Sequence, residues 1–287
     1  MTTQSFRARL LAVALGSLLC VPASLSQPAA GPWAKVPPFT TACYYGTDTF
    51  DAKIEAALAA VHADRDRQLA VNKKIEEEYG AIDPMEMMSR MQQWMMSNPQ
   101  EATKYLQGVQ AVGEDYNAGM PAMMATEQRY DNEQKDLAKR YNASLDKAYA
   151  PGYAKHAALK TKIGTPLEYP TVKDPGTPDW AMAEENVIMR ELDQAYSAHC
   201  SQWWTATGPV QAWLKTYRTW LTNEWIPFYD RLGSNNAQTY AIMGTPSASW
   251  KTVSTQDAVI KYLGAVGASY GLRREKPRCD AADCSYF

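Results

Sequence analysis

The chain has 287 residues, enough for one large or two small domains, and a formal charge of −2 from 29 basic and 31 acidic side chains. That balance excludes the strongly basic surface of a general nucleic-acid binder, and 46% hydrophobic against 21% charged residues excludes bulk disorder. With 16 Gly and 17 Pro the chain is neither collagen-like nor low-complexity, whereas 13 Met, 9 Trp and 17 Tyr stand out beside 5 Phe and 3 His.

Residues 1–26 have the layout of a secretory signal peptide. Arg7 and Arg9 supply the basic start, and Leu10 to Leu19 form an apolar run too short to span a bilayer. Ser24 and Ser26 are the small residues expected before cleavage at Gln27. Leu19 is too large for the position before a lipidated cysteine, so Cys20 is not read as a lipid anchor. The mature chain then holds Cys43, Cys200, Cys279 and Cys284. An even count in an exported chain reads as two disulfides, with Cys279–Cys284 closing a small loop in the tail and Cys43–Cys200 tying distant segments. Without paired Cys-x-x-Cys spacings, a four-thiolate zinc site is disfavoured. Residues 27–49, with Pro28, Pro32, Pro37 and Pro38, are expected to be extended.

Helical signals begin at Asp48, which can cap a helix placing Phe50, Ile54, Leu58, Val61, Leu69, Ile75 and Tyr79 inward and stopping at Gly80. Two further starts share one grammar, Asp83-Pro84-Met85-Glu86 and Asn98-Pro99-Gln100-Glu101. The cap oxygen satisfies an orphan amide, proline gives up an amide that would be wasted, and the early carboxylate meets the positive end of the dipole. Pro121 is expected to break or kink the second of these helices after Gly119. A charged helix follows to about Tyr149, with Tyr130, Leu137, Tyr141 and Leu145 inward.

A Pro/Gly connector at 164–177 separates this first helical set, 50–163, from a second at 178–263. The second set reads as a helix from Pro178 to about Thr205, another from Pro209 to Leu232 stopped by Gly233, and two shorter ones ending near Met243 and Gly264. Leu214, Tyr217, Leu221, Trp225 and Phe228 make an inward stripe flanked by Trp213 and Trp220. A tail with the Cys279–Cys284 loop fills 264–287. No alternating strand is apparent, so the fold class is all-α: a multi-helix bundle with long amphipathic helices, Pro-rich connectors and a disulfide-tied tail.

The most unusual segment is Pro84 to Ser97. On a helical wheel Glu86, Ser89, Arg90, Gln93 and Ser97 share one arc, while Met85, Met87, Met88, Met91, Trp94, Met95 and Met96 fill the other, with only Gln92 intruding. The expectation is that this face is core, with part of it left to a protein partner through Met87, Met88, Met91, Trp94 and Met95. Methionine suits such a surface because it is flexible and polarisable. Cu(I), held by the thioethers of Met87, Met91 and Met95, is the alternative.

Catalytic patterns are weak. Gly267-Ala268-Ser269-Tyr270-Gly271 matches a nucleophile elbow, but no strand precedes it and no histidine follows His199. His62, His156 and His199 are isolated along the chain, and there is no phosphate-binding or dinucleotide fingerprint. The expected protein is therefore an exported, non-enzymatic helical bundle in the periplasm or outside the cell. It binds another protein, with no catalytic residues, no metal, no cofactor, no nucleic acid and no membrane span in the mature chain. The weaker alternatives are a periplasmic Cu(I) binder and an enzyme whose site is not visible in sequence.

Overall fold

A computed structural model describes residues 31–37, 50–164, 178–244 and 252–272. They form helices α1 (Phe50–Gly80), α2 (Pro84–Ser97), α3 (Pro99–Glu114), α4 (Met120–Ile163), α5 (Asp179–Trp204), α6 (Pro209–Trp220), α7 (Ile226–Ile242) and α8 (Ser254–Leu272), with no strand among the described residues. The segment expected to be a signal peptide, the 165–177 connector and the tail with Cys279 and Cys284 lie outside them.

The expected inward residues of the long helices organise the core. Ile54, Tyr130, Leu137, Tyr141, Leu145, Leu214, Tyr217, Leu221 and Trp225 are all buried in one apolar cluster, together with Leu192, Tyr196, Cys200 and Trp204 of α5 and Tyr262 of α8. Leu69 is a correction: it is 37% exposed and faces a cleft. α4 packs along α5, and α1 along α8. The Pro-rich start is not wholly extended. Pro32–Lys35 form a single 3₁₀ turn that lays Trp33 edge-on against Tyr262, ring centroids 5.4 Å apart, beneath the Arg218 guanidinium.

The helix breaks expected at Pro121 and Gly233 do not occur. A π-helical turn at Asp115–Gly119 joins α3 to α4, and another at Leu221–Trp225 joins α6 to α7. Met120 N–H donates to Asp115 O, and Ile226 N–H to Leu221 O, five residues back. Each π turn sits just ahead of a proline, Pro121 or Pro227. A proline ring clashes with the carbonyl four residues before it; widening the ladder at that point moves the carbonyl aside, and the helix continues. The first of these turns packs against α7, just beyond the second. Arg231 Nε donates to Asp115 at 2.9 Å, and this guanidinium lowers the Asp115 pKa. Tyr229 Oη donates to Met120 Sδ at 3.5 Å, and Gly119 lies so close to Phe228 that a Cβ there would be 2.7 Å from the ring.

Gly233 serves packing rather than termination, since a Cβ at this position would overlap Thr252. α7 ends instead at Ile242, beside Gly244 with φ +72°, and α8 runs to Leu272 rather than Gly264. α4 likewise passes Pro151 and ends at Gly164 with φ +75°. Gly152, one residue beyond that proline, lets α5 approach α4 closely: a Cβ would lie 2.5 Å from Leu192 Cδ2. Gly152→Ala should therefore cost about 1–3 kcal/mol by overpacking, read as a lower urea midpoint; an unchanged midpoint would mean that the two helices can separate freely.

Candidate functional site

α2 begins as its sequence dictates. Asp83 accepts hydrogen bonds from Met85 N at 2.8 Å and Glu86 N at 3.3 Å, with Pro84 in the first turn. Asn98 departs from the expected grammar: its side chain does not cap α3 but donates from Nδ2 to Trp94 O at 3.0 Å, closing the end of α2.

The expectation that the methionine face is core is overturned. α2 has no buried residue. The apolar half of the wheel divides into two rows. Met87, Met91, Trp94 and Met95 form an inner, half-buried row, and α2 packs on α3 and α7. Trp94 meets Tyr105 edge-on, ring centroids 5.8 Å apart, and Arg90 donates to Met243 O while pairing with Glu86 at 2.6 Å. Met85, Met88 and Met96 form an outer row, exposed by 75%, 61% and 77%. The physical reason is the number of neighbours: among the described residues α2 packs mainly on two helices, so part of its apolar face has no described layer over it. Beside it on α3, Leu106 and Val109 are also exposed. Of the five expected partner residues, only Met88 is fully on the open side; Met85 and Met96 complete the row that the sequence reading left out.

Met87, Met91 and Met95 do share the inner row at one-turn intervals. No group of three His, Cys, Asp or Glu residues placed to hold a metal occurs among the described residues. Cys200 is fully buried and disulfide-bonded. Cys43, Cys279 and Cys284 lie outside the described residues, so the expected pairings and the tail loop are not described.

Two buried polar pairs between α4 and α5 were invisible in the sequence. His156 Nε2 lies 3.2 Å from Glu185 Oε1, and Glu185 is 2% exposed with its Oε2 lacking a hydrogen-bond partner. His199 Nε2 lies 2.5 Å from Ser144 Oγ. The Ser144 hydroxyl also lies 3.0 Å from Tyr141 O, and Nδ1 of His199 is buried without a described hydrogen-bond partner. Burial lowers the His199 pKa. Ser269 is buried within α8, where its hydroxyl accepts from Gln134 Nε2 at 3.3 Å.

A cleft of about 570 Å³ lies between α1, α4, α7 and α8, lined by Leu69, Asn72, Trp225, Tyr229, Ser254 and Asp257 among others. Its charged and hydroxyl groups are largely engaged with one another. Arg65 donates to Asp257, Lys261 to Glu127, and the hydroxyls of Thr252 and Ser254 to Asp230. Tyr229 has a raised pKa, first from burial and then from Glu127 and Asp257. These bonds clamp the four helices, leaving few polar atoms aimed at a ligand. No described helix is long and apolar enough to cross a membrane. Comparison with known protein families, curated proteins and solved structures finds no match.

Proposed function

We propose that this protein is an exported helical bundle that works by docking another protein, in the cell envelope or outside the cell, through the outer row of α2. The observation that carries the reading is the exposure of Met85, Met88 and Met96 on one side of α2, an arc interrupted only by Gln92. Large exposed apolar side chains grouped on one face mark an interaction surface, and methionines adapt to varied partner surfaces. Export rests on the signal layout of residues 1–26 and on the even number of cysteines that follow it. A binding rather than catalytic role is supported by the mutually paired charges of the cleft. Disulfide pairing of Cys43 with Cys200, and of Cys279 with Cys284, belongs to the same proposal.

The test is a triple variant, Met85→Glu, Met88→Glu, Met96→Glu, beside a control with Ser89→Glu, Gln93→Glu and Ser97→Glu on the polar arc. Both should melt within about 2–4 °C of the parent, because exposed substitutions change stability by roughly 1 kcal/mol or less. Photo-crosslinking in the native host should recover a partner with the control and lose it with the methionine variant. Equal recovery with both would remove α2 as the docking surface.

A further inference from the structure

The methionines differ widely in access to solvent: Met85, Met88 and Met96 of α2, with Met124 of α4, are 61–77% exposed, whereas Met189 of α5 and Met243 after α7 are 9% and 2% exposed. We propose that Met85, Met88 and Met96 form a modification site for peroxide-class oxidants, and that their conversion to sulfoxide regulates the docking face. The second half of this inference rests on the docking reading; the first does not.

The chemistry needs nothing bound by the protein. A lone pair of the thioether sulfur attacks one oxygen of hydrogen peroxide, an S–O bond forms and the O–O bond breaks. The departing hydroxide collects the proton released by the transferred oxygen and leaves as water. Sulfur loses two electrons to the peroxide, and the products are one sulfoxide and one water. Access of the oxidant to sulfur governs the order of reaction, so the outer row reacts first and the buried methionines last.

The structure also separates this reaction from stability. α2 is held by the Asp83 cap, by Arg90 on Met243 O and Glu86, by Trp94 against Tyr105, and by Asn98 on Trp94 O. None of these contacts uses the side chain of Met85, Met88 or Met96. A sulfoxide oxygen added to any of them points into water and breaks no internal bond. It does change the surface: a flexible apolar side chain becomes a polar one, three times along one row, and an apolar partner then meets polar groups it must desolvate. Sulfoxide reductases restore the thioether, so the change is reversible.

The experiment treats the folded, disulfide-intact protein with hydrogen peroxide and follows each methionine by peptide mass spectrometry. Met85, Met88 and Met96 should oxidise roughly ten-fold faster than Met189 and Met243, with the melting temperature held within about 2–4 °C and the sulfoxides removed by methionine sulfoxide reductases A and B. Uniform oxidation across the chain, or oxidation only as the protein unfolds, would overturn the site. For regulation, a Met85→Leu, Met88→Leu, Met96→Leu variant keeps the apolar row but has no sulfur in it. Peroxide should abolish partner crosslinking by the parent and leave that of the leucine variant intact; loss in both, or in neither, would overturn the regulatory half. Failure of the docking reading looks different, because the untreated leucine variant and the untreated parent would then crosslink no partner.

Discussion

Substituting His156 by alanine should lower the folding stability by about 3–5 kcal/mol, while replacing both His156 and Glu185 by leucine should leave it within about 1–2 kcal/mol of the parent. The asymmetry follows from where the pair sits. Glu185 is 2% exposed, and its one described hydrogen-bond partner is His156 at 3.2 Å. Removing the imidazole strands a carboxyl group in the interior, where it must stay desolvated or take up a proton. Removing both partners takes away the desolvation cost together with the bond, and leucine restores apolar volume between α4 and α5. Urea denaturation of the single and double variants measures the difference. A single variant as stable as the parent would show that water reaches Glu185, and the pair would then count as a surface contact.

Trp204→Ala should cost a similar amount, about 3–5 kcal/mol, and lower the melting temperature by roughly 2–4 °C for each of them. Trp204 closes α5, is fully buried, and packs in the same cluster as Tyr141, Leu145 and Leu214. Truncating it leaves a cavity that a helix end tied to α6 through a short turn cannot collapse to fill. Trp180, at the opposite end of the same helix, is the internal comparison. It is 46% exposed and touches Lys162, whose Nζ lies 4.3 Å from the ring centroid. Trp180→Ala should cost no more than about 1 kcal/mol. Equal losses for the two tryptophans, in thermal melts at one pH, would contradict the assignment of the core to the α5–α6 end.

Helical periodicity made much of this fold legible. The inward rows of α4 and the α6–α7 segment were readable because three or more neighbouring elements bury them, and burial selects apolar residues at helical spacing. Helix ends were read less well where a breaker had another use. Gly233 makes room for Thr252, Gly152 makes room for Leu192, and Pro121 and Pro227 follow π turns that admit them. Local sequence carries the steric property of a proline or glycine but not the neighbour that employs it. The methionine helix shows the same limit at the candidate site. Its amphipathic division was plain, yet which apolar residues lie open depends on how many helices surround α2, and only the assembled fold decides that. His156 and Glu185 are 29 residues apart and His199 and Ser144 are 55 apart, so neither pairing leaves a local pattern to find.

Each π turn amounts to a one-residue insertion, and it resets the phase of everything downstream. Removing one residue from such a turn would advance the following side chains by about 100° around the helix axis. In the α3–α4 rod this would swing Tyr130, Leu137 and Tyr141 off the core; in the α6–α7 rod it would do the same to Phe228 and Tyr240. The first insertion sits against α7, just beyond the second, through Asp115 and Arg231 and through Gly119 and Phe228. Neither insertion can be lost without choosing a new apolar stripe for half a rod. Inside these two rods the residue count is part of the fold's address system, as binding as the identity of any core side chain.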